Sequence, residues 1–200
     1  MNRWKITRRH LGLIVLSLLI LAGCTTTKPA IKLDPSFSEM QIESVALLPI
    51  IDRRVDKSYE IDLENKVRQA AKENLEKKGY TVIMPSTFVE GRNVDPAEVE
   101  AMGINDLASL GPPDSKAIVL IYIEDILSSY KVLSYAFKIE ATASVISKEK
   151  QCELWRNKAV GKAGQGGLIS GITQGLDRSS AIGACIGELF SNLPIAPKLK

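Results

Sequence analysis

The chain has 200 residues, of which 45% are hydrophobic, 24% charged and 6% aromatic, the composition of a globular protein of one or two domains. Lysine and arginine number 26 against 23 acidic residues, but four of these basic residues lie before the first apolar run: Arg3, Lys5, Arg8 and Arg9. Without that leader, 22 positive charges face 23 negative ones, a balance that argues against a nucleic-acid-binding surface. The one histidine, His10, lies in the leader too, so the remaining chain has no imidazole for Ser-His-Asp catalysis or metal ligation.

Residues 1–23 have the order of parts of a secretory signal peptide. A basic start precedes an apolar stretch from Leu11 to Leu21, and the small residues Ala22 and Gly23 follow. As a helix, this stretch would cover only ~16 Å of a ~30 Å hydrocarbon core, so we do not expect it to remain as a membrane span. The arginine pair also resembles a twin-arginine export signal, but the strongly apolar stretch favours Sec export.

The segment Leu21-Ala22-Gly23-Cys24 resembles the bacterial lipobox. In that motif the cysteine sulfur is diacylglycerated, the peptide is cut before the cysteine, and the freed amine is acylated. We therefore predict lipidation of Cys24; the alternative is a buried cysteine after an ordinary signal peptide. At ~0.8 kcal/mol per buried CH₂, two or three acyl chains would anchor the protein to a membrane effectively permanently. Thr25 replaces the aspartate that retains many lipoproteins in the inner membrane, so the resemblance implies the outer membrane, facing the periplasm.

The mature chain divides into three parts by composition. Residues 25 to 40 carry two prolines, several hydroxyls and no sustained hydrophobic period, which is typical of a tether. We assign residues 24–41 to a lipid-anchored tether, residues 42–194 to one folded domain, and residues 195–200 to a tail.

The first half of the domain predicts a βαβ unit. A continuously apolar strand over residues 44–51 should end near Pro49, and an amphipathic helix over residues 61–78 should end at Gly79. A strand over residues 80–84 then completes a parallel pair. Asp95-Pro96 is a helix start, and a second short helix is expected from Asn105 or Asp106.

The second half predicts a long antiparallel hairpin and a final helix. The most apolar stretch, residues 117–123, is expected as a central strand, and alternating residues from 134 to 145 as an antiparallel strand. A turn over residues 148–151 leads into a strand over 153–160, and a helix should cover residues 179–192. The fold class is therefore α/β (α+β), with helices packed on a mixed sheet of about five strands.

Five short motifs follow one another along the domain: Val45–Pro49, Lys78–Val82, Ile123–Asp125, Glu153–Trp155 and Leu193–Pro194. In this order they resemble a family of bacterial outer-membrane lipoproteins whose domain is similar to the amino-terminal domain of TolB, the Tol system's periplasmic propeller protein. More distant similarity extends to the curli-export lipoprotein CsgG and to LpoB, an activator of penicillin-binding proteins. The resemblance implies a protein-binding or assembly module, and it implies no catalytic position.

The best candidate for a loop site follows the first strand and contains Asp52, Arg53, Arg54 and Asp56. Ligands of open α/β sheets bind outside the carboxyl ends of strands. Alternating acids and bases also describe a solvated loop whose charges pair with one another, and this is the interpretation we favour. The acidic pair Glu124-Asp125 should point to opposite faces of its strand, and so should not hold one proton or metal together.

Glycines cluster between residues 161 and 176. Their spacing fits neither a P-loop nor a dinucleotide-binding loop. Gly167, Gly171 and Gly175 recur at every fourth residue, and Gly183 and Gly187 repeat the interval, which would give helices a smooth ridge for close approach. We take these three glycines as a candidate interface, with a mobile loop as the alternative.

The two cysteines left in the mature domain leave two structures open. A Cys152–Cys185 disulfide would close 33 residues in an oxidising compartment. Cys185, however, falls on the apolar stripe of the last helix, where a buried free thiol is common. Trp155 is expected in the core.

Together these features predict a lipid-anchored envelope protein that is not an enzyme and has no cofactor. Its expected partners are envelope proteins, including a CsgG-like export lipoprotein or further copies of itself, and not nucleic acid. A regulator of peptidoglycan synthesis is the second hypothesis, and a small-ligand carrier or hydrolase the third.

Overall fold

The fold is seen in a computed structural model, which describes residues 31–55, 57, 62–89, 94–131, 134–166 and 174–197. The described strands form one seven-stranded mixed sheet in the order β1-β7-β6-β5-β2-β4, with β3 beside β5. The strands are β1 Lys32–Leu33, β2 Ser44–Leu47, β3 Ile51–Asp52, β4 Thr81–Ile83, β5 Ala117–Lys131, β6 Ser134–Ser147 and β7 Cys152–Gly166. The helices are α1 Leu63–Lys77, α2 Pro96–Ala101, α3 Ile104–Ala108 and α4 Gln174–Ser191. This architecture confirms the predicted fold class.

The βαβ unit forms as the sequence predicts. Strand β2 pairs in parallel with β4 and, on its other side, with β5. Gly79 ends the helix between β2 and β4 with φ +89°, a conformation that glycine adopts without strain. Pro49 interrupts the first strand, since it offers no N–H to a ladder. The chain pairs with β5 again two residues later as β3, so one predicted strand is two in the structure.

Two helical layers cover the sheet. Helices α1 and α4 pack on one face, where Trp155 is fully buried and stacks on Phe190 with ring centroids 5.8 Å apart. The core position predicted for Trp155 is thereby confirmed. Helices α2 and α3 cover a smaller apolar cluster on the other face, and its large side chains include Leu48, Phe88, Val99, Leu110, Ile118 and Leu120.

The last three strands are longer than predicted. Strands β5, β6 and β7 form an antiparallel meander. The part of this meander beyond the β-bulge at Glu124 is called the ribbon. Gly161, Gly164 and Gly166 lie within β7, so the glycine cluster is a strand and not a loop over residues 161–166. Glycine occupies position 161 of the strand because α4 approaches the backbone there too closely for any side chain.

Both ends of the domain extend beyond the predicted boundaries. Residues 32–40, assigned to the tether, belong to the fold: Asp34 donates its N–H to the Leu154 carbonyl at 2.8 Å, and Phe37 is buried. At the other end, Ala196 donates its N–H to the Lys78 carbonyl at 2.9 Å and is buried too. These segments are too short to show a hydrophobic period, which is why their composition resembled that of a linker.

Candidate functional site

The predicted loop site begins where the parallel pairing of β3 with β5 ends. Asp52 pairs with Ile123, and Arg53 donates its N–H to the Ile123 carbonyl at 3.0 Å, so the loop leaves the sheet beside Glu124. Glu124 is the extra residue of a β-bulge, since Ile123 pairs with Ala141 and Asp125 with Glu140. The bulge turns the Glu124 side chain toward the loop.

Arg53 is held by three side chains from two elements, β5 and α2. Its guanidinium lies 3.9 Å from the centroid of the Tyr122 ring, a cation–π contact, and its Nη1 donates to Glu124 at 3.1 Å. Its Nε donates to Glu100 of α2. Burial lowers the pKa of Arg53, but the bond to Glu100 and the charges of Glu100 and Glu124 outweigh it, so the net shift is upward. Burial has the opposite effect on the Tyr122 hydroxyl, whose pKa it raises.

Arg54 and Asp52 pair within the loop. The Arg54 side chain is only 5% exposed, and it donates to the Asp52 carboxylate from Nη2 at 2.8 Å and from Nε at 2.9 Å. Burial raises the pKa of Asp52, but the bonds from Arg54 outweigh it and hold that pKa below its usual value. The self-paired loop favoured from the sequence is thus found for these two residues. Asp56 lies outside the described residues.

A cleft of about 360 Å³ opens beside these pairs, between residues 53–55 and 124–128. Its two arginines and Glu124 form ion pairs, so a ligand that binds to these groups would have to displace those pairs. Glu124 reaches Arg53, whereas Asp125 stands opposite Glu140 in the ladder. Within the described ranges no cluster of histidine, cysteine and acidic residues could hold a metal ion.

A second surface, which was not predicted from the sequence, is an open groove of about 680 Å³ between α1 and α4. Six of its ten lining residues are polar or charged, and the others are Ala70, Met84, Ile182 and Gly183. A side chain at Gly183 would meet no atom within 4 Å. Of the candidate interface glycines, Gly175 lies in the first turn of α4, while Gly167 and Gly171 lie outside the described residues.

The Cys152–Cys185 disulfide is not formed, and the geometry forbids it. Cys185 lies against β7 at Gly161, and its thiol faces the Ala159 carbonyl at 3.6 Å. Cys152 begins the same strand nine residues before Gly161, or ~30 Å along an extended chain. A disulfide needs Cα atoms within ~7 Å, so the two cysteines are free thiols. Burial raises the pKa of the Cys185 thiol to about 11.

Comparison with protein-family models gives no match, and comparison with curated protein sequences gives none either. Solved structures do resemble the chain. A PelC dodecamer from Paraburkholderia phytofirmans is 13% identical, with a TM-score of 0.50, and the match covers 86% of this chain and 98% of that one. Lipoprotein GNA1162 from Neisseria meningitidis is 20% identical with a TM-score of 0.49, over 66% of this chain and 91% of that one. The similarity to PelC shows a shared fold.

In the described part of the chain, no helix is both long enough and apolar enough to cross a membrane.

Proposed function

We propose that this protein is a lipid-anchored envelope protein, attached through Cys24, that acts as a protein-binding and assembly factor. The observation that carries the proposal is the position of β1. Only seven residues lie between Cys24 and Lys32, the first described residue of the sheet, so the eight steps along the chain from a lipidated Cys24 hold the folded domain within ~29 Å of the membrane. The tether of residues 24–41 would have allowed the domain to hang farther away.

Two further observations support assembly rather than catalysis. At the predicted loop site Asp52 pairs with Arg54, and Arg53 pairs with Glu100 and Glu124, which suits a structural element better than a catalytic group needing a free acid or base. The PelC structure, which shares the fold, is a dodecamer. We therefore propose that copies of this chain associate on the periplasmic face of the outer membrane, within a curli-like export or related envelope apparatus.

Two differently tagged copies, co-expressed and purified in detergent, test this proposal. We expect each tag to recover the other copy, and sedimentation velocity to show a species larger than the monomer. Cross-linking before lysis should recover an export lipoprotein; recovery of a penicillin-binding protein instead would favour the peptidoglycan hypothesis. A monomer that recovers neither its own copies nor an envelope protein above background would overturn the proposal.

A further inference from the structure

Strand β7 turns one face toward α4 and the other face away from it. Trp155 stacks on α4, and the Asn157 side chain donates to the Leu189 carbonyl of the same helix at 2.7 Å. Side chains alternate along a strand, so the even-numbered residues from Arg156 to Lys162 lie on the sheet face that points away from α4. Three of these four residues are cations.

The neighbouring strands add two more cations to this face. In the register of the sheet, β1 places Lys32 opposite Arg156, and β6 places Lys138 opposite Lys162. Each of these side chains is exposed or half-buried. Among the described residues of β1, β6 and β7, this face therefore carries five cations, which together we call the basic stripe: Lys32, Lys138, Arg156, Lys158 and Lys162.

Two glutamates pair with four of the five cations. The pairs are Lys138 and Lys158 with Glu140, and Lys32 and Arg156 with Glu153. The Lys138–Glu140, Lys32–Glu153 and Arg156–Glu153 distances are 3.1, 2.9 and 2.7 Å. Because each glutamate is shared between two cations, pairing neutralises only half of the charge of these four.

The fifth cation, Lys162, stands directly opposite Lys138 in the ladder. Like charges directly opposite each other destabilise a sheet, and an anion close to both would remove that cost. Asp125 of β5 adds one negative charge beside the stripe, opposite Glu140. Five cations against three carboxylates leave an excess of two positive charges.

Two exposed apolar side chains lie among these charges. Val160 is 40% exposed and lies between Lys158 and Lys162 on the same face of β7. Leu127 of the ribbon is 55% exposed and stands opposite Lys138. Cations around apolar side chains are typical of surfaces that bind anionic membranes, because the cations meet the headgroups while the apolar groups enter the interface.

We propose that the basic stripe lies on the anionic headgroups of the membrane that holds Cys24, an inference that rests on the proposed lipid anchor. Lys32 is both the first residue of β1 and the first cation of the stripe, and at most ~29 Å of chain separates it from Cys24. From Arg156 to Lys162 the stripe runs only ~20 Å further. All of it can therefore reach the headgroups.

Contact through the stripe sets how the domain stands on the membrane. Helices α1 and α4 pack on the opposite face of the sheet, so the groove between them points away from the bilayer. Envelope proteins then have access to the groove while the stripe holds the sheet on the lipid surface.

Lysine acetylation of the lipidated protein, reconstituted in vesicles and read by mass spectrometry, tests this contact. One set of vesicles is phosphatidylcholine alone, and the other also contains anionic phosphatidylglycerol. Each positive charge near an anionic surface changes the contact equilibrium about fivefold, so an excess of two favours contact about 25-fold. We expect Lys158 and Lys162 to react at least ~5-fold more slowly on the anionic vesicles. Exposed Lys77 of α1 should react equally on both, and high salt should abolish the difference.

Lys162→Glu removes the excess charge, and Lys77→Glu is the matched control on the other side of the sheet. The first substitution places a carboxylate opposite Lys138, so it replaces a repulsive pair with an attractive one and should leave the fold intact. Lys158 should then react at the same rate on both kinds of vesicle, to within ~2-fold. Lys77→Glu should keep the wild-type difference.

The intact mass of the same sample reports the lipid on Cys24 separately, so loss of the anchor, which overturns the proposed function, is distinguished from loss of the contact. A lipidated protein whose Lys158 and Lys162 react equally fast on anionic and neutral vesicles would overturn the proposal. Equally slow reaction on both would overturn it too, because a partner protein or a second copy would then cover the stripe.

Discussion

Replacing Gly161 with alanine tests the packing of α4 on the sheet. A Cβ built at this position would lie 2.1 Å from the Ala181 carbonyl oxygen, 2.6 Å from Cys185 Cβ and 2.9 Å from Cys185 N. Two of these atoms belong to the helix backbone, so no side-chain rotation can relieve the clash. The helix would have to move by more than ~1 Å to restore ordinary carbon contacts of 3.5–4.0 Å.

The cost follows from what lies under the helix. Ala181, Cys185 and Leu189 are fully buried against β7, so a displaced helix opens a core that is otherwise closely packed. Overpacking costs ~1–3 kcal/mol, and alanine's lower unfolded-state entropy returns ~0.4–1 kcal/mol. Because backbone atoms form the contact, we expect a net loss near the top of that range, about 2–3 kcal/mol, or a fall in Tm of about 4–12 °C for a chain of this size.

Urea unfolding followed by fluorescence measures this loss, since Trp155 is the only tryptophan after the leader and stacks on Phe190 of α4. Gly183→Ala is the matched control: it is the same substitution, in α4 itself, with no atom within 4 Å of the new Cβ. It should stabilise by about 0.5–1 kcal/mol through helix propensity. Equal stabilities for Gly161→Ala and wild type, or equal losses in both variants, would refute the packing argument.

Three further outcomes are expected. Arg68→Met should lower the free energy of unfolding by about 1–3 kcal/mol, because Arg68 is buried and its Nη2 bonds to the carbonyls of Leu47 and Pro85. Lys77→Met, at an exposed position of the same helix and measured in the same urea titration, should change it by less than ~0.5 kcal/mol. Alkylation at pH 8 should label Cys152 but not Cys185 in the native protein and both after unfolding without reductant; a protein with no reactive thiol when unfolded would contradict the structure. The pKa of Cys185 is about 11 in the folded protein against 9.0 for an unperturbed thiol, so between these pH values the folded state binds more protons than the unfolded state. The free energy of unfolding should therefore fall as pH rises from 9 to 11. The fall should be shallower in Cys185→Ala, and equal slopes in the two proteins would count against the shift.

The regular elements could be predicted because their sequences carry a period or an end signal. The apolar face of α1 repeats at three- and four-residue spacing, and its Gly79 adopts the positive φ expected of a helix stop. The alternation in β6 also predicted its strand, and the tendency of tryptophan to be buried predicted the core position of Trp155 in the next one. These signals are local, so a single sequence contains them.

What the sequence could not provide depends on contacts between distant residues. No sequence pattern in residues 32–40 predicts a strand, because β1 consists of only two residues, which pair with Arg156 and Trp155. Glycines usually mark a break, yet Gly161 is inside β7 because α4 needs the space. At the loop site the sequence suggested that the loop's charges pair with one another, but the partners of Arg53 come from α2 and from a β-bulge, 47 and 71 residues away.

The central claim, that the protein is anchored by lipid at Cys24, is tested most directly by the intact mass and amino-terminal sequence of the protein purified from membranes. The account predicts a chain that begins at Cys24 and carries a diacylglyceryl group with or without an amide-linked acyl chain. Cys24→Ser should abolish both the processing and the added mass, whereas Cys152→Ser should leave them unchanged. An unmodified chain that begins at another residue, in normal amount in the membrane fraction, would contradict the account.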